Sequence, residues 1–244
     1  MIAYNAAKPL ISLHIPKCAG QSFRRVLDQW YGSRFYIHYF QQNHALPPRH
    51  ELKPGTCIHG HFNRTRGFGV MDYYPEVPQF ITVLRDPLEA AVSNYFFWKT
   101  KAREKQLKKG VLKPGDENDY RGIADFFTKR PKSGMLDFMP CELTPANYKE
   151  ILETKFVWIG LVENLQESVA VLARALGFEP VLLERINASP RDEELSPLLR
   201  QAFIRANALE FEIYRYIKNG PQITQINTDY KKKKPTNYTN YHEF

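Results

Sequence analysis

Lys17, Ser22, Arg85, Ser93 and the pair His59 and His61 are the residues whose types and spacing suit chemistry on an anion. In Leu10-Ile11-Ser12-Leu13-His14-Ile15-Pro16-Lys17-Cys18-Ala19-Gly20-Gln21-Ser22 an apolar run stops at Pro16 and a short loop follows. Phe23, Val26, Leu27 and Trp30 then recur at helical spacing. That order predicts a strand, a tight loop and a helix N-terminus. Backbone N–H groups and the positive end of the helix dipole meet at such a junction, and phosphates bind there. Lys17 adds a full charge and Ser22 a hydroxyl, while Gly20 offers backbone angles that other residues resist. A plain strand-to-helix turn has the same outline, and this run alone leaves both readings open.

A second run repeats the arrangement. Gln79-Phe80-Ile81-Thr82-Val83-Leu84 is β-branched and aromatic and predicts a strand. Arg85-Asp86-Pro87 follows at once, with Asp86 suited to an N-cap and Pro87 to the first helical position. Leu88, Val92, Tyr95 and Phe96 then face a core, and Ser93 falls about two turns beyond Arg85. An Arg and a Ser so placed can grip one phosphate, the Arg by a two-pronged charged contact. Arg85 taken alone fits a surface ion pair as well. Between the two runs, Thr56-Cys57-Ile58-His59-Gly60-His61-Phe62 is a short apolar segment ending in two His. Neutral His accepts a proton near pH 7. The pair also fits two structural His residues, or a metal, for which no third ligand at metal-site spacing is evident. His14, on the strand side of Pro16, reads as part of the first strand.

The first loop is not a Walker A loop, where the Lys follows the last Gly. His14 to Ser22 resembles the 5′-phosphosulfate loop of sulfotransferases that use 3′-phosphoadenosine 5′-phosphosulfate (PAPS). The branch that includes heparan sulfate 2-O-sulfotransferase typically reads H-I-P-K-[TC]-[GA]-G-[TS]-[ST], with Gln21 the unusual member here. Arg85 to Tyr95 resembles the 3′-phosphate motif R-D-P-x-x-R-x-x-S-x-[YF], with Ala90 where many relatives carry a second Arg. His59-Gly60-His61 resembles an H-G-H element of that branch. Gly160 to Leu165 resembles its G-x-x-E-x-[LF] element, and Asn187-Ala188-Ser189 its N-x-S element.

The resemblance implies a P-loop-NTPase-like sulfotransferase fold. It implies PAPS as the sulfuryl donor, 3′-phosphoadenosine 5′-phosphate (PAP) as product, and no metal. Lys17, Cys18, Ala19, Gly20, Gln21 and Ser22 would surround the 5′-phosphate, with Lys17 on the leaving oxygen. Arg85 and Ser93 would hold the 3′-phosphate, and Ser189 would lie on the cofactor side. His61 would be the base that takes the acceptor's proton, assisted or oriented by His59. The acceptor would be a hydroxyl compound, with carbohydrate the first expectation and an acidic small molecule another. Two other classes stay in view: a nucleotide kinase or P-loop NTPase, and a non-catalytic protein that binds RNA or a polyanionic glycan.

The elements that must position these residues follow from the rest of the chain. Lys155 to Gly160 predicts a further strand, and Leu165, Val169, Leu172 and Leu176 a helix closed by Gly177. A last amphipathic helix is predicted from about Glu193 to Ile217, with Leu199, Phe203, Ala206 and Glu210 along one side. Alternating strands and helices argue a single α/β domain with a mostly parallel central sheet flanked by helices, spanning 1–220. The tail 221–244, rich in Lys, Asn, Tyr and Thr, reads as extended or disordered. Lys99 to Asp119 reads as a basic, mobile loop after the Ser93 helix, either a lid over the acceptor or a solvated insertion. Arg130 to Thr144 is a second loop candidate for the acceptor pocket. Trp98, Tyr73 and Tyr74 can stack on a sugar or fill the core.

Composition adds bounds. The 244 residues carry a net charge of +8, beyond what two phosphate sites need, which points to an acidic partner or acceptor. Nucleic acid is not the expected partner. No apolar stretch reaches the roughly 18 residues of a membrane span, and the N-terminus lacks the basic and apolar regions of a signal peptide. A soluble cytoplasmic enzyme of bacterial or viral type is the expectation. Three scattered cysteines argue against a disulfide framework. A lowered thiol pKa is expected for Cys18 in the anion loop, though as loop filler and not as a nucleophile.

Overall fold

The computed structural model describes residues 1–39, 46–110, 113, 119–183 and 191–220. Among them are five strands, β1 (Leu10–Leu13), β2 (Phe35–His38), β3 (Cys57–Gly60), β4 (Phe80–Leu84) and β5 (Phe156–Leu161). Nine α-helices accompany them: α1 (Gly20–Tyr31), α2 (Val70–Tyr73), α3 (Pro87–Phe97), α4 (Arg103–Lys108), α5 (Ile123–Lys129), α6 (Tyr148–Lys155), α7 (Leu165–Leu176), α8 (Pro197–Ala206) and α9 (Ala208–Lys218).

The strands form one parallel sheet in the order β2-β3-β1-β4-β5. β1, β3, β4 and β5 are buried on both faces, so their sequences are mostly apolar and do not alternate, with Ser12, His59 and Thr82 the polar exceptions. β2 at one edge is half-buried. The outer edge of β5 meets the N-terminal segment, where the Ile2 amide donates to the Phe156 carbonyl at 2.9 Å.

Chain direction reverses at the centre of this sheet. The chain leaving β1 runs to the β2 side, and the chain leaving β4 runs to the β5 side. Ligands of open α/β sheets bind beyond the strand C-termini at such a switch point. The loop carrying Lys17 follows β1 and Arg85 follows β4, which are hydrogen-bonded neighbours.

Two apolar clusters hold the elements. The larger includes Phe23, Val26, Leu27 and Trp30 of α1, the sheet, and Val169, Leu172 and Leu176 of α7. The smaller packs Leu88, Val92, Tyr95 and Phe96 of α3 on Tyr120, Phe126, Phe127 and Phe203. Gly177 ends α7 in the left-handed region, with φ of 78°.

Three expectations change. The basic stretch after Ser93 is not a loop through residue 108. α3 continues through a π-helical turn (Trp98–Ala102) into α4. Lys99 binds Asp192 and Glu193, and Arg103 binds Asp119, so charge fixes this segment instead of leaving it solvated. The predicted last helix is two helices, because Asn207 turns its side chain back onto the Phe203 and Pro131 carbonyls at 2.7 and 2.8 Å. β2 was not predicted at all. Among the described residues no helix is long and apolar enough to cross a membrane. The tail 221–244 lies outside the described residues.

Candidate active site

The loop between β1 and α1 is strained where it turns. Lys17 and Ala19 both adopt positive φ, 67° and 57°, which costs roughly 1–2 kcal/mol for each such residue. Successive amides in turns of this kind face one concavity and suit an anion. α1 then begins without a side-chain cap and without an acidic residue in its first turn. Its internal ladder opens with Phe23 donating to the Ala19 carbonyl at 3.1 Å, so the amides of Gly20, Gln21 and Ser22 precede it. Gly20 is needed for space and not for an unusual φ, since a Cβ there would lie 1.8 Å from His14 Nε2. Cys18 anchors the loop in the core at 1 % exposure. Burial pushes its thiol up to about 12, reversing the expected lowering, because desolvation outweighs the positive charge nearby.

The unit after β4 is built differently. Asp86 caps α3, its carboxylate accepting from the Leu88 and Glu89 amides at 2.9 and 3.1 Å, and Pro87 occupies the first turn. The Asp86 amide donates to Glu163 Oε1 at 2.9 Å. Glu163 therefore braces the Arg85 turn, a role the sequence reading did not assign although the G-x-x-E element marked the residue. Arg85 Nη1 donates to the Lys17 carbonyl at 3.3 Å, which joins the two motifs. Lys17 Nζ lies 4.1 Å from the ring centre of Phe97, the last residue of α3. Ser93 is half-buried one turn beyond Glu89 on the same helix.

The histidines come together at the ends of β1 and β3. Leu13 pairs with Gly60, so His14 and His61 each stand one residue past matched positions. Their rings stack at 4.2 Å and 22°. His61 Nδ1 donates to the His14 carbonyl at 2.8 Å. A carbonyl only accepts, so Nδ1 carries the proton and Nε2 holds the lone pair. His61 is half-buried, and burial lowers its pKa, which keeps it neutral near pH 7. His59 lies deeper at 1 % exposure, 2.8 Å through Nδ1 from Ser12 Oγ, and burial holds it at about 3.

His14, assigned to the strand from sequence, belongs to this cluster. It stacks on both His59 and His61, and its Nδ1 lies 2.5 Å from the Tyr39 hydroxyl. Burial above all, then the neighbouring His59 and His61, holds it far below the ordinary histidine range. The available signal was that two parallel strands each end in His, but it is read only once their register is known.

The segment 130–144 reaches the same place, with the Phe138 ring 6.0 Å from that of His61. Asn207 and Glu210 brace it. The Ser133 amide donates to Asn207 Oδ1 at 2.9 Å, and the Met135 amide to Glu210 Oε1 at 3.1 Å. Trp98 and Tyr74 are core residues and not open stacking faces, while Tyr73 is half-buried with its ring 4.4 Å from that of His38. Ser189 lies outside the described residues. Among the described residues no group of three or more His, Cys, Asp or Glu is arranged to hold a metal ion.

No curated protein matches the chain. Among solved structures it is similar to mouse sulfotransferase SULT7A1 complexed with PAP. That similarity has a TM-score of 0.36 and 11 % identity, and it covers 93 % of this chain and 83 % of that one. The family profile described as the sulfotransferase family matches residues 2–217, a span that holds the Lys17 loop, the histidine cluster and the Arg85 unit together. On that match the chain belongs to the sulfotransferase family.

Proposed function

We propose that this chain moves a sulfuryl group from PAPS to an acceptor hydroxyl, a carbohydrate before other acceptors, with His61 as the base. One observation carries the reading. Two hydrogen bonds from different strands end on the same loop: His61 reaches the His14 carbonyl and Arg85 the Lys17 carbonyl. The proton acceptor and the 3′-phosphate cation are thereby indexed to the loop that suits the 5′-phosphate.

The residues present fit this donor. The uncapped end of α1, free of acids in its first turn, suits a phosphate, and Arg85 with Ser93 offers a second phosphate position. PAPS supplies the sulfuryl group, whose bond to the phosphate oxygen breaks as the bond to the acceptor oxygen forms. Lys17 stabilises the negative charge that grows on the leaving oxygen. His61 Nε2 takes the acceptor's proton, and the His14 carbonyl keeps that nitrogen unprotonated beforehand. His59 is too buried to meet an acceptor and acts from behind, fixing the β1–β3 edge through Ser12. Phe138 borders the acceptor side.

The test is release of PAP from PAPS with a panel of glycans, alcohols and phenols. Acceptor-dependent release that is lost in both Lys17→Ala and His61→Ala supports the reading. Release by His61→Ala at the native rate removes His61 as base. Phosphoryl transfer from ATP in the same panel favours a kinase instead.

A further inference from the structure

Glu89 is out of place for a site that holds a phosphate. It lies on α3 between Arg85 and Ser93, one turn from each, and its carboxylate faces the Arg85 guanidinium at 3.8 Å. A carboxylate there would repel the 3′-phosphate. A second guanidinium meets the same oxygen: Arg191 Nη1 lies 2.9 Å from Glu89 Oε2. Both cations therefore converge on one atom, close enough for a single phosphate to touch both.

Arg191 is held in place by its neighbours in sequence. Asp192 and Glu193 accept from Lys99 Nζ at 2.7 and 2.8 Å, and Glu193 also accepts from the Tyr95 hydroxyl at 2.6 Å and the Ile123 amide at 2.8 Å. Burial acts to raise the Glu193 pKa, but the bonds from Lys99, Tyr95 and Ile123 hold it at about 2, so this anchor stays charged in neutral solution.

Resting on the reading above, we propose that Arg191 is a further cofactor-binding residue. It supplies the second cation of the 3′-phosphate site, with Glu89 holding it and Arg85 at the mouth of that site. The pair then sets the preference for a nucleotide bearing a 3′-phosphate over one without it.

Calorimetric titration of the full chain with PAP and with AMP tests this, using wild type, Arg191→Ala, Arg191→Lys and Glu89→Gln, with Arg85→Ala as reference. Arg191→Ala is expected to lose about tenfold in PAP affinity, the scale of one charge-assisted contact, with AMP binding unchanged. Arg191→Lys should recover part of that loss, and Glu89→Gln should bind PAP at least as tightly as wild type. Native PAP affinity in Arg191→Ala, or equal losses for PAP and AMP, would overturn the proposal. A wild type that does not distinguish PAP from AMP would instead overturn the 3′-phosphate site itself. Thermal melting of each variant separates these results from misfolding, and Arg191→Lys carries the test if Arg191→Ala does not fold.

Discussion

The two strand–loop–helix units at the centre of the sheet share a plan and differ at their helix ends. α3 is capped by Asp86, opens with Pro87 and carries Glu89 in its first turn. α1 has no cap, no acid and two left-handed non-glycine residues just before it. Stability alone favours the first design, since a cap contributes about 1 kcal/mol. The second has neither a side-chain cap nor an acid at its positive end, which suits an anion. On the proposed reading the two phosphate positions differ in kind: the end of α1 would offer backbone, while the α3 unit would offer the side chains of Arg85 and Ser93.

The largest test of that contrast is chemical. Lys17→Ala and His61→Ala should each lower turnover roughly 10²–10⁴-fold, read as PAP release, because on the proposed reading both groups act on charge that moves in the transition state. Gly20→Ala is the next largest. Its methyl would strike the His14 ring, which is stacked and cannot swing aside freely. A loss of about 1–3 kcal/mol in denaturant unfolding is expected, with weaker PAP binding. A fully stable Gly20→Ala would mean that His14 is not packed against α1.

A matched pair sharpens the comparison further. Asp86→Ala removes the cap of α3 and should lower Tm by about 2–4 °C, as about 1 kcal/mol does in a chain of this size. Turnover should survive. Gln21→Glu places an acid in the first turn of α1, where it should stabilise the helix by about 0.3–1 kcal/mol yet weaken PAP binding. Opposite signs for stability and binding in that variant are what an anion-binding helix end requires. The same sign for both would count against it.

The remaining tests concern pH. The pKa of His61 is lowered by burial, so the acid limb of kcat/KM should fall below the ordinary histidine value of 6.5. His59 is held at about 3 against the same 6.5. As pH falls, the unfolded chain protonates this group first. Its contribution is therefore fully present above pH 6.5 and lost progressively from there toward about 3. Urea unfolding from pH 8 to pH 4 should show that decline, and His59→Asn should reduce it, leaving the part that buried His14 contributes.

Much of this was legible in sequence because the central strands are buried on both faces and read as mostly apolar segments. Asp86-Pro87 and Gly177 marked helix ends through local chemistry alone. What was missed depends on packing. β2 is a half-buried edge strand of only four residues, too short for its period to stand out. The basic stretch after Trp98 looked solvated until Asp119, Asp192 and Glu193, distant in sequence, neutralised it. His14 looked like a strand residue because its partners, Tyr39, His59 and His61, arrive from other strands. The motif residues Lys17 and Arg85 were each visible, but the bond between their turns was not.

On the proposed reading, the loop after β1 and the turn after β4 form one site for a nucleotide with phosphates at both 5′ and 3′ positions. Titration of the purified chain with PAP, with ATP in parallel, tests it most directly. PAP should bind at least about tenfold more tightly than ATP, since a matched charged contact is worth that much or more. Well-folded protein that binds ATP as tightly, or that does not bind PAP, would contradict it.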